Sequence, residues 1–320
     1  MQTILVTGIA GFIGSHVAQK LVEKNYQVIG VDNFNSYYSP LLKEGRVKNL
    51  LVRQKENIYR FDIARRSDLE KIFSNNKIDK ICHLAAQAGV RYSFENPDAY
   101  ISANIIGTHN LLELAKKYNV KDFIFASSSS VYGGNKALPF EETATVNHPV
   151  SLYAATKVAN EIEAYTYHHL YGLNCWGLRF FTVYGPWGRP DMALFKFTKA
   201  ILDGQPIDVY NQGQHQRDFT YIGDIVSGVI AAIEKCQGYE IFNLGNNQPV
   251  ELEYFISVIE KTLGKKAIKN YLPLQPGDVI ATYANIDKAK NFLGFNPKTK
   301  IDEGIEKFIA WYKNYQNILK

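Results

Sequence analysis

Near its start the chain reads Thr3-Ile4-Leu5-Val6-Thr7-Gly8-Ile9-Ala10-Gly11-Phe12-Ile13-Gly14, an apolar run that leads into three glycines spaced three residues apart. The run predicts a buried strand, and the residues that follow have the pattern of a helix. Glycines here allow a tight turn and close approach of the backbone to a pyrophosphate, which the helix N-terminus then faces. The stretch therefore predicts the first strand, turn and helix of a dinucleotide-binding sheet.

The second predicted strand, Gln27 to Val31, is followed by Asp32, an acid that can accept hydrogen bonds from the hydroxyls of an adenosine ribose. Asn33 comes next, so a 2′-phosphate has no cationic partner, which favours NAD over NADP as the cofactor. Two later strands end in Asp62-Ile63 and Leu84-Ala85-Ala86, on the side where the adenine and its ribose are expected. The alternative, a glycine-rich turn that binds nothing, requires Asp32 to be there by coincidence.

Apolar runs of strand length alternate with helical patterns from the first residue, which is typical of βαβ units. We predict an α/β protein with a Rossmann-type doubly wound parallel sheet and a smaller, interleaved α/β substrate domain. The change of texture comes after Arg179, where Gly185 to Asp191 reads as a loop. The NAD-binding domain is predicted at residues 1–178 with returning segments at about 216–246, and the UDP-sugar-binding domain at 179–215 and 247–320.

The composition is that of an ordinary globular protein of 320 residues, with 46% hydrophobic and 21% charged residues and a net charge of +5. The charge is spread without a long basic tract, which suits an anionic small molecule and argues against nucleic acid. No apolar run approaches the roughly 20 residues that cross a bilayer, and we see no leader peptide. Cys82, Cys175 and Cys236 are expected to be reduced thiols. We predict a cytoplasmic protein without a metal site or a membrane partner.

A second motif consists of Tyr153 and Lys157, four residues apart in a predicted helix, so that both side chains share one face. A phenol ordinarily titrates near ~10. An ammonium beside it favours the phenolate, so we expect a lowered pKa and a base that can take a proton from a sugar hydroxyl. Ser128, at the end of a preceding strand, is placed to share that proton. The plainer interpretation, an adjacent surface pair, is disfavoured because the same domain carries the dinucleotide motif.

Taken together, these motifs resemble the sugar-nucleotide epimerases of the extended short-chain dehydrogenase/reductase family over essentially the whole chain. The resemblance rests on the glycine turn, His83 to Ser93, Ser127 to Gly133, His148 to Lys157 and Gly177 to Ala193. It implies that Tyr153, Lys157 and Ser128 are catalytic and that NAD is held tightly.

The resemblance also implies two sets of binding residues. The predicted cofactor site comprises Gly8, Gly11, Phe12, Ile13, Gly14, Asp32, Asn33, Asn35, Ser36, Asp62, Ile63, Leu84, Ala85, Ala86, Asn104, Ser127, Tyr153, Lys157 and Phe180. The predicted substrate site comprises Arg91, Ser128, Ser129, Ser130, Thr182, Arg189, Arg217 and Asp278. Arg217 matches a diphosphate-binding arginine of the family and Asp278 a uridine contact. Gln275 departs from the family pattern, because relatives often have a second arginine there.

The activity implied by the resemblance is reversible C4 epimerisation of UDP-glucuronate to UDP-galacturonate through a transient 4-keto intermediate. Because that intermediate is a β-keto acid, it is prone to lose CO2. Related decarboxylases and dehydratases carry an acidic residue where this chain has Ser130, which disfavours both of those reactions. Ser128, Ser129, Thr182 and Arg189 resemble a set that holds the substrate carboxylate, with Arg189 as a forked donor.

Three alternatives remain open from the sequence. A UDP-glucose/UDP-galactose 4-epimerase would use the same machinery on a neutral sugar, and a UDP-glucuronate decarboxylase is disfavoured by Ser130. A catalytically inactive NAD-dependent binding or regulatory protein is disfavoured by the intact catalytic set. Members of the family usually pair through two helices per subunit, so a homodimer through helices near 101–118 and 152–171 is expected. The expected small-molecule partner is a UDP-uronic acid.

Overall fold

The structure is a computed structural model that describes residues 1–274 and 279–319. The described strands are β1 (Thr3–Thr7), β2 (Gln27–Val31), β3 (Ile58–Tyr59), β4 (Lys80–His83), β5 (Asp122–Ser128), β6 (Asn174–Phe180), β7 (Thr182–Tyr184), β8 (Pro206–Tyr210), β9 (Gln216–Tyr221), β10 (Tyr239–Leu244), β11 (Pro249–Glu251) and β12 (Ile268–Leu272). The described α-helices are α1 (Phe12–Glu23), α2 (Pro40–Leu50), α3 (Arg66–Asn75), α4 (Tyr92–Glu95), α5 (Pro97–Tyr100), α6 (Gly107–Lys117), α7 (Leu152–Tyr171), α8 (Ala193–Leu202), α9 (Ile222–Lys235), α10 (Leu252–Leu263), α11 (Asp287–Leu293) and α12 (Ile301–Leu319). A π-helical segment, Ile101–Ile106, leads directly into α6.

Seven of the described strands form one parallel sheet in the order β10-β6-β5-β4-β1-β2-β3. The chain starts at β1, builds outwards to β3, crosses to β4 on the other side of β1, and continues outwards to β6. This order confirms the predicted doubly wound, Rossmann-type sheet. Ligands of such sheets bind at the carboxyl ends of the strands where the order reverses, which here is between β1 and β4.

The sheet is covered on both faces, which explains why its strands are apolar without alternation. In β1, Ile4 and Val6 belong to the same core as Val229 of α9, whereas Leu5 between them belongs to the opposite core with Leu111 of α6. Successive side chains of a strand point to opposite faces of the sheet, so large side chains are buried on both faces. Burial of each such side chain stabilises the fold by about 1.5–3 kcal/mol. This two-sided burial fixes the register of the strands, and with it the alignment of the carboxyl ends that carry the site.

The second half of the chain adds two small sheets, ordered β11-β9-β7 and β12-β8. Their core is rich in aromatic rings: Phe219 of β9 stacks on Phe255 of α10 with ring centroids 4.2 Å apart. Phe195 of α8 packs edge-on against Phe308 of α12 at 6.0 Å. This separate core is consistent with a smaller α/β unit beside the large sheet.

The chain passes back and forth between the two groups of strands. Tyr239–Leu244 joins the large sheet beside β6, as expected for a returning segment, whereas Gln216–Tyr221 pairs with β7 and β11. Because β6 runs to Phe180, residue 178 lies inside a strand. The division into residues 1–178 with about 216–246, and 179–215 with 247–320, stays a prediction. In the part of the chain that the structure describes, no helix is both long and apolar enough to cross a membrane.

Candidate active site

A cavity of about 850 Å³ opens at the carboxyl ends of the parallel strands. Its lining runs from the turn between β1 and α1, past the ends of β4, β5 and β6, to the loop that follows β7 and to the small sheets. The cavity therefore begins at the position where a doubly wound sheet binds a dinucleotide and continues along the strands that belong to the second core.

The turn between β1 and α1 requires its glycines. Gly8 has a φ of +69°, and its N–H donates to the Val31 carbonyl oxygen at 2.7 Å. A Cβ on Gly14 would lie 2.1 Å from the Gly8 carbonyl oxygen, and a Cβ on Gly11 would lie 2.8 Å from the same atom. The tight turn brings the first N–H groups of α1 to the cavity, where they can donate to a pyrophosphate.

Asp32, directly after β2, lines the cavity with a carboxylate that the backbone holds in place. Its Oδ1 accepts from the Phe34 N–H at 2.8 Å and its Oδ2 from the Ala10 N–H at 3.1 Å. Lys43 of α2 lies beside it, with Nζ 3.6 Å from Oδ1, and donates to Asn35 Oδ1 at 3.0 Å. A fixed carboxylate next to a glycine turn is the acceptor that an adenosine ribose needs, so these residues fit NAD.

Helix α7 carries Tyr153 and Lys157 into the middle of the cavity. Ser151 caps the helix, because its Oγ accepts from the Ala154 N–H at 3.1 Å. Ser128, at the end of β5, lies close enough to Tyr153 for its hydroxyl to lower the pKa of the phenol. The three residues predicted to be catalytic are thus brought together by the start of one helix and the end of one strand.

The pKa of Tyr153 differs from the expectation. Burial raises it above the ordinary value of a phenol, and the Ser128 hydroxyl and the charge of Arg189 lower it only in part. The prediction that Lys157 lowers the Tyr153 pKa is therefore wrong for the protein by itself, because desolvation of the phenolate outweighs the favourable neighbours.

Lys157 is held by a backbone group rather than by an acid. Its Nζ donates to the Ala126 carbonyl oxygen at 2.7 Å. Burial lowers the pKa of Lys157 to about 8, and the charge of Glu161, one helical turn further on, works in the opposite direction. Glu161 itself is bound by Arg179, whose Nε and Nη2 donate at 2.9 and 2.7 Å, and by the Ser127 hydroxyl at 2.5 Å. The Glu161 carboxylate is thus bound by three donors other than Lys157.

Arg189 lies in the loop Gly185–Asp191, lines the same cavity, and is bound to a carboxylate from its own loop. Its Nε donates to Asp191 Oδ1 at 3.0 Å, and its Nη2 donates to Asp191 Oδ2 and, at 3.2 Å, to the Ala88 carbonyl oxygen. Tyr37 donates to Asp191 Oδ2 at 3.2 Å. The predicted forked donor is therefore present, but one edge of its fork faces Asp191.

The NAD dependent epimerase/dehydratase family model matches residues 4–245 of the chain, which include the glycine turn, the three residues predicted to be catalytic and the arginine loop. The chain belongs to this family. Membership agrees with the cofactor that the glycine turn and Asp32 fit, and it confirms the predicted NAD dependence.

Relatives in this epimerase/dehydratase family match over nearly the full length. The UDP-glucuronate 4-epimerase of Thermodesulfobacterium geofontis is 45% identical over 317 residues, covering 99% of this chain and 98% of that protein. A Bacillus cereus UDP-glucuronic acid 4-epimerase, crystallised with UDP-glucuronic acid and NAD, has a TM-score of 0.91 at 37% identity and covers 98% of this chain and 100% of its own. A Thermotoga maritima UDP-glucose 4-epimerase with UDP-glucose has a TM-score of 0.90 at 35% identity and covers the same shares. The fold is thus similar to proteins named for an acidic and for a neutral sugar.

Most of the site residues predicted from the sequence line the cavity of this epimerase-family chain. From the cofactor set these are Gly8, Gly11, Phe12, Ile13, Gly14, Asp32, Asn33, Asn35, Asp62, Ile63, Leu84, Ala85, Ala86, Ser127, Tyr153, Lys157 and Phe180. From the substrate set they are Arg91, Ser128, Ser129, Ser130, Thr182, Arg189 and Arg217. Their individual roles stay predictions. Asp278 and Gln275 lie outside the described residues.

Two predicted cofactor residues are not brought to the cavity. Ser36 is exposed in the turn before α2. Asn104 is wholly buried, where its Oδ1 accepts from the Gln87 N–H at 2.8 Å and its Nδ2 donates to the Gln87 carbonyl oxygen and to Thr156 Oγ1, both at 3.0 Å. Its amide therefore connects the segment after β4 to helix α7 through hydrogen bonds, which is a structural role.

Several cavity residues were missed by the sequence analysis. They are Tyr37, Lys43, Gln87, Asp191 and Tyr210. Asp191 had a signal, since an acid two residues after an arginine in a tight loop can pair with it. Lys43 had none, because only the packing of α2 against the end of β2 brings its ammonium to Asp32.

Proposed function

We propose that this protein catalyses the reversible C4 epimerisation of UDP-glucuronate to UDP-galacturonate through a transient 4-keto intermediate. The observation that carries the proposal is that the Tyr153 phenol and the Arg189 guanidinium line one cavity, near enough for the charge of Arg189 to lower the Tyr153 pKa. A base for the sugar hydroxyl and a cation for its carboxylate are therefore available to the same ring.

The chemistry asks two things of the chain's own residues. Tyr153 takes the proton of the 4-hydroxyl as the carbonyl forms and returns it on reduction, with the Ser128 hydroxyl close to the phenol. NAD held at the glycine turn would supply the hydride acceptor for sugar C4 and the hydride donor for the other face of the 4-keto sugar, so no net oxidation would occur. Ser129 and Thr182 line the cavity with Arg189 and provide hydroxyl donors for the carboxylate.

The absence of an acid at Ser130 supports epimerisation over loss of CO2. The Ser130 N–H donates to Ser128 Oγ at 3.1 Å, so this position contributes a backbone contact to the catalytic serine. A serine hydroxyl is also too weak an acid to protonate the carbanion that decarboxylation leaves. At this position the chain therefore supplies no proton donor for the product of CO2 loss.

The decisive experiment incubates the purified protein with UDP-glucuronate and no added cofactor, and resolves the nucleotide sugars by chromatography. We expect UDP-galacturonate to form until equilibrium is reached, with little absorbance of reduced cofactor at about 340 nm, a property of nicotinamides in general. A UDP-pentose product would show that the protein is a decarboxylase and contradict the proposal. If neither UDP-glucuronate nor UDP-galacturonate gave a product, the protein would not be a uronate epimerase.

A second candidate is the interconversion of UDP-glucose and UDP-galactose. It is favoured by one observation, the Arg189–Asp191 pair, because a neutralised cation has less need of an anionic ligand. Parallel assays with UDP-glucose decide between the two. A kcat/KM for UDP-glucose above that for UDP-glucuronate would make the neutral sugar the substrate.

We also propose that the protein is a cytoplasmic homodimer. Support comes from exposed apolar side chains on the two helices expected to pair: Ile101 and Ile106 at the start of the segment that leads through α6, and Ile162 and Tyr165 on α7. Apolar area of this kind is normally covered in an assembly. Light scattering at micromolar concentration should give twice the mass of the chain, and a monomer would contradict the proposal.

A further inference from the structure

The geometry points to Asp191 as the residue that sets how firmly the substrate carboxylate is held: by occupying one edge of the Arg189 guanidinium, Asp191 prevents a two-pronged grip and leaves the keto intermediate free to turn. Asp191 is then a positioning and specificity-determining residue for the epimerisation. The inference rests on the proposed function with UDP-glucuronate.

The occupied edge can be traced donor by donor. A guanidinium has five N–H groups. Nε and Nη2 of Arg189 donate to the two oxygens of Asp191, and Nη2 donates also to the Ala88 carbonyl oxygen. Within residues 1–274 and 279–319, the Nη1 group of Arg189 makes no hydrogen bond. Nη1 is therefore the group left for a ligand in the cavity.

Asp191 is itself held in this position. Tyr37 donates to its Oδ2 at 3.2 Å, and the Tyr37 ring lies 4.6 Å from that of Tyr92 and 5.9 Å from the Arg189 guanidinium. Burial, and then the Asp191 charge, raise the pKa of Tyr37 to about 12, so its hydroxyl stays a donor at neutral pH. The carboxylate is thus oriented by a protein group even before any ligand is considered.

Occupation of this edge matters because the reaction requires the substrate carboxylate to be bound and also requires the 4-keto intermediate to turn. A carboxylate bound by both Nε and Nη2 forms two parallel, charge-assisted hydrogen bonds with a fixed direction. That arrangement would hold one orientation of the sugar ring, whereas epimerisation needs the 4-keto intermediate to present both faces in turn. With Asp191 on that edge, the substrate carboxylate meets a single terminal nitrogen and a second negative charge nearby. Binding is weaker, but reorientation is easier.

The test is the variant Asp191→Asn, which keeps the size of the side chain and removes its charge and one acceptor oxygen. For UDP-glucuronate we expect KM to fall by roughly tenfold, because one Arg189 donor becomes available to the substrate, and kcat to fall by a similar factor. The absorbance of reduced cofactor at steady state should rise, because the intermediate turns more slowly. For UDP-glucose, which has no carboxylate, neither constant should change by more than about twofold.

The matched control is Asp203→Asn, which removes the same charge from an exposed acid that is paired with Lys199 and is not part of the cavity lining. Its constants for UDP-glucuronate should equal those of the wild type. If Asp191→Asn does not fold, Tyr37→Phe removes only the hydroxyl that orients Asp191, and should move KM and kcat downward by a smaller amount.

The outcomes separate the inference from the function on which it rests. Wild-type protein that makes no UDP-galacturonate rejects the proposed function. Wild-type activity together with a KM for the Asp191→Asn variant that is unchanged or raised overturns the role of Asp191, since a merely displaced arginine would bind the substrate less well. A KM that falls while kcat stays at the wild-type value overturns the link between the occupied edge and turning.

Discussion

Two cations that line the cavity, Lys157 at the ends of the strands and Arg189 in the loop after β7, are held in opposite ways. At the strand ends, Lys157 is buried and donates to the Ala126 carbonyl oxygen, and among the described acids none forms an ion pair with it. In the loop after β7, Arg189 is paired with Asp191. Burial lowers the pKa of Lys157 to about 8, whereas for Arg189 burial is outweighed by Asp191, which raises its pKa.

This difference separates two tasks. A cation with a carbonyl partner can gain or lose a proton near neutral pH, which suits a place beside a phenol that exchanges a proton with the substrate. A cation with a carboxylate partner keeps its charge at every accessible pH and offers only the donors that its partner leaves. The proposed function thus places proton chemistry at the strand ends and anion binding in the loop.

The proposed division of tasks between the strand ends and the loop would be contradicted most directly if Tyr153 could be replaced without loss of epimerisation. Tyr153→Phe removes the hydroxyl that we propose takes the substrate proton while keeping the ring, and we expect kcat for epimerisation to fall by roughly 10³-fold. The protein should still fold and retain NAD, because the ring of Tyr153 stays in place and the glycine turn, the Asp32 contacts and Lys157 are unchanged.

The measurement is the rate of UDP-galacturonate formation, with Tyr254→Phe as the control because Tyr254 is an exposed tyrosine outside the cavity lining. Activity of Tyr153→Phe within tenfold of the wild type would mean that another group accepts the proton. The proton chemistry would then not belong to the strand end.

The second prediction uses the free energy of unfolding to test the unpaired state of Lys157. Below pH about 8 the ammonium is charged in both the folded and unfolded chain, and its burial costs stability. Between about 8 and the ordinary value of 10.5, only the unfolded chain keeps the proton, so the contribution of Lys157 to stability improves as pH rises. The total change is about 3 kcal/mol.

Lys157→Met should therefore be more stable than the wild type at pH 7, and this advantage should shrink as pH is raised to 10. Urea unfolding of both proteins at each pH gives the difference, which cancels contributions from the tyrosines. Arg189 should produce no such dependence, because it stays charged throughout. A difference that is constant with pH would show that Lys157 does not titrate in this range and that the two cations are alike.

The sequence predicts the site residues at the strand ends better than the Arg189–Asp191 contact in the loop, because the former belong to local patterns. The glycine turn, Asp32, and the Tyr153–Lys157 spacing are local patterns, since each follows from residues close together in one strand–turn–helix or on one helical face. The order of the large sheet follows from βαβ alternation in the same way. Nothing nonlocal is needed to expect that these residues meet at the carboxyl ends of the strands.

The loop depends on conformation that composition does not determine. Trp187 has a φ of +62°, and Arg46, wholly buried, donates to its carbonyl oxygen at 2.7 and 3.0 Å. These contacts shape the loop in which Arg189 and Asp191 form their pair. The raised pKa of Tyr153 was missed for a related reason, because the degree of burial decides its sign and burial is a property of the whole fold.

The smallest predicted effect concerns Asn104, whose side chain is hydrogen-bonded to one residue adjacent to the Arg189 contact and to another adjacent to Lys157. Its amide binds Gln87, next to the Ala88 carbonyl that accepts from Arg189, and Thr156, next to Lys157. Asn104→Ala leaves buried polar groups of Gln87 and Thr156 without this partner. We expect the free energy of unfolding to fall by about 1–3 kcal/mol. The affinity for NAD should change by less than about threefold, which is below 1 kcal/mol.

Urea unfolding and titration with NAD separate this structural role from the cofactor role that the sequence predicts for Asn104. The control is Asn49→Ala, because Asn49 is exposed and, among the residues that the structure describes, its amide donates to the Gly45 carbonyl oxygen of its own helix. If NAD affinity fell tenfold or more while stability matched that of Asn49→Ala, Asn104 would be a cofactor ligand. The strand end and the arginine loop would then be connected through the cofactor rather than through this buried amide.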